Sequence, residues 1–316
     1  MGPYLIRRLL IGIPVLLGVT VINFFIINLA PGSPADLYLS PTSTPEDVIR
    51  TKAELGLDLP IWVQYFHWLT RLVHGDLGVS FQNREPVTQL IGDRIGPTLL
   101  LMGTSLLVAY LIAIPIGIFA ARKKNTAADY GVVGASFLGI SVPHFFLGLA
   151  LIYVFALVLG WLPTGGMLTL GRGGGFVDRV NHLILPVAVL ATAIAANMVR
   201  YVRASMIDAF GQDYIRTARA KGLAGFTITN KHALRNALIP LVTVVGVDLS
   251  TLIGGAIVTE QIFQWPGIGL LTIQSIGSRD YSVLMGINLI AAVSVFAANL
   301  LTDIAYAVVD PRVAYA

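Results

Sequence analysis

The chain has 316 residues, 55% of them hydrophobic and only 12% charged, with a formal net charge of +4 and no cysteine. A soluble domain carries about a quarter charged residues, so half that share in a chain this long points to lipid as the solvent. The missing cysteines exclude disulfides, thiolate catalysis and cysteine-ligated metal, and the small positive charge is no argument for a nucleic-acid partner, because placement matters more than sum.

Arg7 and Arg8 precede an apolar run from Leu9 to Leu29. At ~1.5 Å per residue the run reaches ~30 Å, the thickness of a bilayer core. It is longer than the core of a signal peptide, and no small-x-small cleavage site follows. Residues 1–29 are therefore expected to be a retained first span with a cytoplasmic N-terminus. Residues 30–97 mix charges of both signs and are expected to form an extracytoplasmic loop region. Within it, "WVQYFHWLTRLVHG" predicts a short amphipathic helix with Trp62, Tyr65, Phe66 and Leu69 on one face, suited to an interface.

Five further apolar segments follow, near Thr98–Ala121, Tyr130–Gly160, Leu185–Val202, Ala237–Thr259 and Val283–Val309. The second of these is too long for one straight helix, and Pro143 is expected to break or kink it. Backbone polar groups in lipid need internal partners, so the spans are helices. The period-two alternation of a membrane barrel is absent. The segment "TLGRGGGFVD" reads as a glycine-rich turn and not as a nucleotide loop, lacking the flanking strand and helix. The expected fold is thus all-α: a polytopic membrane protein of six transmembrane helices, with five of them in a core over residues 98–309 and a tail at 310–316.

Orientation follows from the basic residues. Arg7 and Arg8, then Arg122, Lys123 and Lys124, then seven basic residues from Arg200 to Arg235 mark one side, whereas the opposite short loops hold only Arg172, Arg179 and Arg279. Basic residues in short loops stay cytoplasmic, which places both termini and the loop at about 208–236 inside.

Several chemistries lack their residues. There is no G-x-x-x-x-G-K-[ST], so no P-loop of its own for ATP. The five histidines form no H-x-x-x-H or H-E-x-x-H pair, so no zinc site is expected, and no G-x-S-x-G marks a serine hydrolase. Nothing indicates an enzyme.

The polar residues inside or beside the spans are few. Asp248 sits mid-span in "VVGVDLSTLIGG", and an intramembrane carboxylate is a functional hypothesis by default. It could line a hydrated path or bind a substrate amine; equally, it could bond across a subunit interface. His144, beside Pro143, is expected to fill a polar gap at the kink, while Glu260 and Trp265 flank a re-entrant-like outer segment that could gate a pathway. These four are the candidate path residues.

The stretch "RTARAKGLAGFTITNKHALRNALIP", Arg216 to Pro240, carries five basic residues and no acidic one. Tyr214, Thr217, Ala218, Lys221 and Gly222 recur at helical spacing, and small residues one turn apart let another surface approach closely. Gly222 can end one short helix and turn the chain into a second, whose apolar side holds Phe226, Ile228 and Leu234. Spacing alone leaves two readings: a docking knuckle, or charges that fix topology and meet anionic lipid.

This stretch resembles the cytoplasmic loop of bacterial ABC-importer permeases, an E-A-A element followed four residues later by Gly. Arg216, Thr217 and Ala218 match the E-A-A positions and Gly222 the Gly, with Arg216 replacing Glu and Thr217 the first Ala. Both departures are similar to the dipeptide/oligopeptide/nickel branch. So are "LAPGSPAD" at Leu29–Asp36, "HGDLGVSF" at His74–Phe81, "SVPHFFLGLALIYVF", "TEQIFQWPGIGLL" and the closing "DPRV". The resemblance implies the type I importer permease fold and the first-named permease subunit of an importer of peptides or related small solutes in a bacterial inner membrane. It implies a second homologous permease, an extracytoplasmic binding protein, and two ATPase subunits that hold the ATP and Mg. The coupling residues it implies are Tyr214, Arg216, Thr217, Ala218, Arg219, Lys221, Gly222 and Leu223. The rival reading is a proton-coupled secondary transporter using Asp248, although no duplicated half is apparent.

Overall fold

The computed structural model describes residues 2–29, 35, 44–54, 56–169, 171, 174–250 and 256–309. Most of "LAPGSPAD", part of the glycine-rich turn and the closing "DPRV" lie outside these residues. Among the described residues the fold is helical, and pairing of extended chain is limited to an isolated bridge between Val79 and Pro86. Four helices of the described residues are long and apolar enough to cross a bilayer, or there are up to six spans if each of two bent pairs counts as one.

The chain divides into two compact units, the first comprising residues 1–98, 253–257 and 266–296. It begins with α1 (Gly2–Leu29). The expected outer loop contains two helices, α2 (Pro45–Glu54) and α3 (Ile61–Val73). Helix α3 is amphipathic as expected, but its buried face is shifted: Tyr65 and Trp68 are enclosed while Trp62 and Phe66 are exposed. The reason is tertiary. Phe24 of α1 takes Tyr65 edge-on at 5.4 Å between ring centroids, and the Tyr65 hydroxyl lies 3.0 Å from that of Thr20.

Helix α4 (Val87–Arg122) starts eleven residues before the expected span at Thr98. Its first turns pack Val87 and Ile91 with Leu77, Ile268, Leu271, Val283 and Ile287, joining α12 (Ile268–Gly277) and α13 (Tyr281–Val309) in the core of this unit. Gly286 lies so close to Val87 and Ile91 that a Cβ there would force both to move. The "HGDLGVSF" element is clasped from 200 residues away: the Ser80 hydroxyl donates to the buried Asp280 carboxylate at 2.5 Å, and the Phe81 N–H does so at 3.2 Å. Asp280 also accepts from the Val283 N–H at 3.4 Å, filling the first turn of α13.

The second unit comprises residues 99–252, 258–265 and 297–316. Helices α5 (Ala127–Ser141) and α6 (His144–Leu151) flank the expected break, and α6 continues as a π-helical segment over Ile152–Val158. The two arms meet at 93°. Val142 has the extended backbone that a following proline demands, with φ −78° and ψ 119°. Helix α7 (Phe176–Phe210) runs well beyond the expected Leu185–Val202 and is the inner helix, with 56% of its apolar window enclosed. Small residues permit this: Gly139 of α5 faces Thr192 and Ala196, and Gly117 of α4 faces Val202.

Candidate functional site

Helix α7 ends at Gly211, and α8 (Asp213–Ala220) begins two residues later. Helix α8 closes by a Schellman turn: the Leu223 N–H bonds back to the Ala218 carbonyl at 3.3 Å and the Gly222 N–H to the Arg219 carbonyl at 2.9 Å. Gly222 has φ +73°, the left-handed region that an L side chain resists. The chain then turns into a second helical arm, Gly225–Leu238, which opens with α9 (Gly225–Thr227) and bends by 53° into Leu241–Ser250. The expected short helix, glycine turn and second helix are all present.

The knuckle has a distinct inside and outside. Ile215 and Ala218 are buried, and α8 packs through them onto the π-helical segment Ile228–Ala233. Tyr214, Arg216, Thr217, Arg219, Lys221, Gly222 and Leu223 are exposed. Seven of the eight candidate coupling residues are therefore exposed, and Ala218 is the inward-facing one. Ile228 turns inward too, while Phe226 stands 76% exposed at the tip. Arg216, Arg219 and Lys221 are exposed too, so α8 and its turn present an open positive charge. The Asp213–Arg216 contact, 3.5 Å and exposed at both ends, neutralises little of it. Sequence spacing could not tell Phe226 from Ile228, because both lie on the apolar arm.

Behind the knuckle, α5 and α7 are riveted together. Asp129 is fully buried and receives Arg203 Nε at 2.5 Å, Arg203 Nη2 at 2.7 Å and the Asn125 N–H at 3.0 Å. Two converging guanidinium donors fix direction as well as distance. Nothing local in the sequence joins these two residues, which are 74 positions apart.

The four path candidates lie on α6, on α10 (Leu234–Ser250), and on α11 (Ile257–Ile262) with its following turn. Asp248 is half-buried in α10 and accepts from the Tyr110 hydroxyl of α4 at 2.7 Å. Tyr110 is a polar group that the sequence reading passed over; a tyrosine inside an apolar run was the available signal. His144 is exposed at the start of α6, not packed into the break as expected. The Pro143 kink needs no side chain to fill it, because the Val142 N–H still reaches the Leu138 carbonyl and the Leu147 N–H the Pro143 carbonyl.

Glu260 and Trp265 are fully enclosed around α11 (Ile257–Ile262) and its following turn. The Trp265 N–H closes that turn on the Glu260 carbonyl at 2.9 Å. The loop before α7 is fastened to the same turn, since the Gly166 N–H donates to the Phe263 carbonyl at 2.7 Å and a Cβ on Gly165 would collide with that carbonyl. Its other end is tied to α7, where Thr169 donates twice to Asp178 and His182 Nδ1 lies 3.1 Å from the Gly166 carbonyl. The result is a latched corner at the start of α7.

Comparison with known proteins fits this geometry. Residues 113–315 match the family described as binding-protein-dependent transport system inner membrane component, and residues 1–102 match its N-terminal membrane component. The oligopeptide transport system permease protein AppB of Bacillus subtilis is 46% identical, covering all of both chains. The glutathione transport system permease protein GsiC of Salmonella typhimurium is 40% identical over 99% of each chain, and the dipeptide transport system permease protein DppB of Escherichia coli is 38% identical over 98% of each. Among solved structures, an inward-facing form of the MetNI methionine ABC transporter shares the fold at a TM-score of 0.59 and 18% identity, covering 72% of this chain and 99% of that one. The chain belongs to the family of inner-membrane components of binding-protein-dependent transport systems, and is a multi-pass permease subunit of an ABC importer.

Proposed function

We propose that this permease carries peptides across a bacterial inner membrane, paired with a second homologous permease, two ATPase subunits and an extracytoplasmic binding protein. Membership of the family implies ATPase and binding-protein partners; the peptide substrate is inferred from full-length similarity to permeases named for oligopeptides, dipeptides and glutathione. The observation that carries the coupling role is the knuckle: a hydrogen-bonded, glycine-turned corner that leaves Phe226 and three cations exposed between α7 and α10. ATP bound by the partners would draw the ATPases together, and the knuckle would transmit that motion to α7 and α10, the helices on either side of it. ATP and loaded binding protein must favour one packing of the helices over the other, since equal affinity for both shifts nothing.

Asp248 then shapes the path and carries no coupling proton. Asn keeps an acceptor for the Tyr110 hydroxyl while removing a charge that costs ~2.5–3.5 kcal/mol at mid-membrane on insertion scales. In vesicles supplied with binding protein, with ATP and a proton gradient varied independently, Asp248→Asn is expected to retain ATP-dependent peptide uptake. Uptake that follows the gradient, ignores ATP and vanishes in Asp248→Asn would refute the proposal and install the proton-coupled carrier in its place.

A further inference from the structure

Helix α3 carries two apolar faces where the sequence leads one to expect one. Ile61, Tyr65, Trp68 and Leu72 pack inward with Phe24 and Met285. At ~100° per residue, Trp62, Phe66 and Val73 fall about 110° round the helix from that line and within ~40° of one another. These three are 59%, 61% and 78% exposed, so the second face has no cover from this chain; Leu69, partly covered, bridges the two. His67, Thr70 and Arg71 are exposed on the remaining side, and the helix contains no acidic residue.

The contacts with α1 fix the depth at which the second face sits. The Tyr65 hydroxyl reaches Thr20, and the Trp68 ring lies 6.3 Å from that of Phe24, centroid to centroid. On α1, Phe24 and Thr20 stand roughly 8 and 14 Å short of the end at Leu29, at ~1.5 Å per residue. Both belong to the apolar run that crosses the hydrocarbon, and Ile22 and Ile26 at the same level are each 60% exposed. An amphipathic helix at a membrane surface buries its apolar face ~5–10 Å deep, which is the level of Phe24. A water-borne protein is excluded from that depth, and acyl chains are already there.

We propose that α3 is a membrane-surface helix whose Trp62, Phe66 and Val73 side chains enter the acyl chains of the leaflet at the Leu29 end of α1, while His67, Thr70 and Arg71 stay among the headgroups. Tryptophan at that boundary follows the general aromatic belt of membrane proteins. The placement rests on the multi-pass reading of the chain and is independent of what the permease carries and of how it couples to ATP.

The chain has no cysteine, so nitroxide labels can be placed singly on the full-length permease in phosphatidylcholine nanodiscs. Collision with oxygen, which concentrates among acyl chains, and with a nickel chelate, which stays in water, reads what each label meets. Labels on Trp62→Cys, Phe66→Cys and Val73→Cys are expected to favour oxygen severalfold more than labels on His67→Cys and Thr70→Cys, with the ratio repeating at the helical period. Labels at the first three positions that favour nickel as strongly as those at the other two would overturn the proposal. Shielding of the first three from both probes would overturn it as well, because that is the mark of a protein covering this face. Ile22→Cys, exposed within the span of α1, separates the two levels of the reasoning. If its label favours oxygen, a failure on α3 refutes the surface helix alone; if it favours nickel, the span falls and the proposal with it.

Discussion

Gly222 offers the sharpest test of the coupling knuckle, because backbone and space can be separated there. Its φ of +73° favours glycine, yet a Cβ built on it meets no atom within 4 Å. Gly222→Ala therefore has one intrinsic cost, the left-handed backbone, about 1 kcal/mol, or roughly fivefold in the equilibrium constant that favours the turned corner. Asn tolerates that region better than Ala, so Gly222→Asn should recover part of the loss. Gly222→Trp adds bulk on the face proposed to meet the ATPase. Purified ATPase titrated onto permease nanodiscs should bind in the order Gly, Asn, Ala, with Ala weakened by up to about fivefold and Trp not docking, while circular dichroism of the membrane helices stays unchanged. Substrate-stimulated hydrolysis should follow the same order. Normal docking by both Ala and Trp would refute the reasoning and return the basic stretch to a role in topology.

Two further outcomes follow from the geometry. Cysteines replacing the exposed Glu46 and Lys124, in a chain with none of its own, should be labelled from opposite sides of intact cells; labelling of both by one impermeant reagent from outside would break the six-span orientation. Asp129→Ala strands the Arg203 guanidinium, and removing one member of a buried pair costs ~3–5 kcal/mol, toward the lower figure here because Arg203 keeps a quarter of its side chain exposed, at 24%. Thermal unfolding should show that loss in the single variant and a smaller one than the summed singles in Asp129→Ala/Arg203→Ala. A single variant as stable as a surface substitution would show that the rivet bears no load.

The residues themselves determine what depends on neighbours along the chain. Apolar runs of ~20 residues have no alternative to spanning helices in lipid, and the break after Val142 is imposed by Pro143 alone. The short helix, turn and second helix around Gly222 are local too, since helical spacing and one left-handed residue suffice to specify a Schellman corner. Helix length was less legible: α4 and α7 extend past their apolar windows because tertiary packing, not hydropathy, rewards their ends. Facing was decided only by the fold. Tyr65 and Phe66 are adjacent and chemically alike, and it is Phe24, 41 positions earlier in the chain, that buries one and leaves the other exposed. The polar pairs Tyr110–Asp248, Asp129–Arg203 and Ser80–Asp280 join residues 138, 74 and 200 positions apart. No periodicity encodes such pairs, because each partner is satisfied only once distant helices pack side by side and water is excluded from between them.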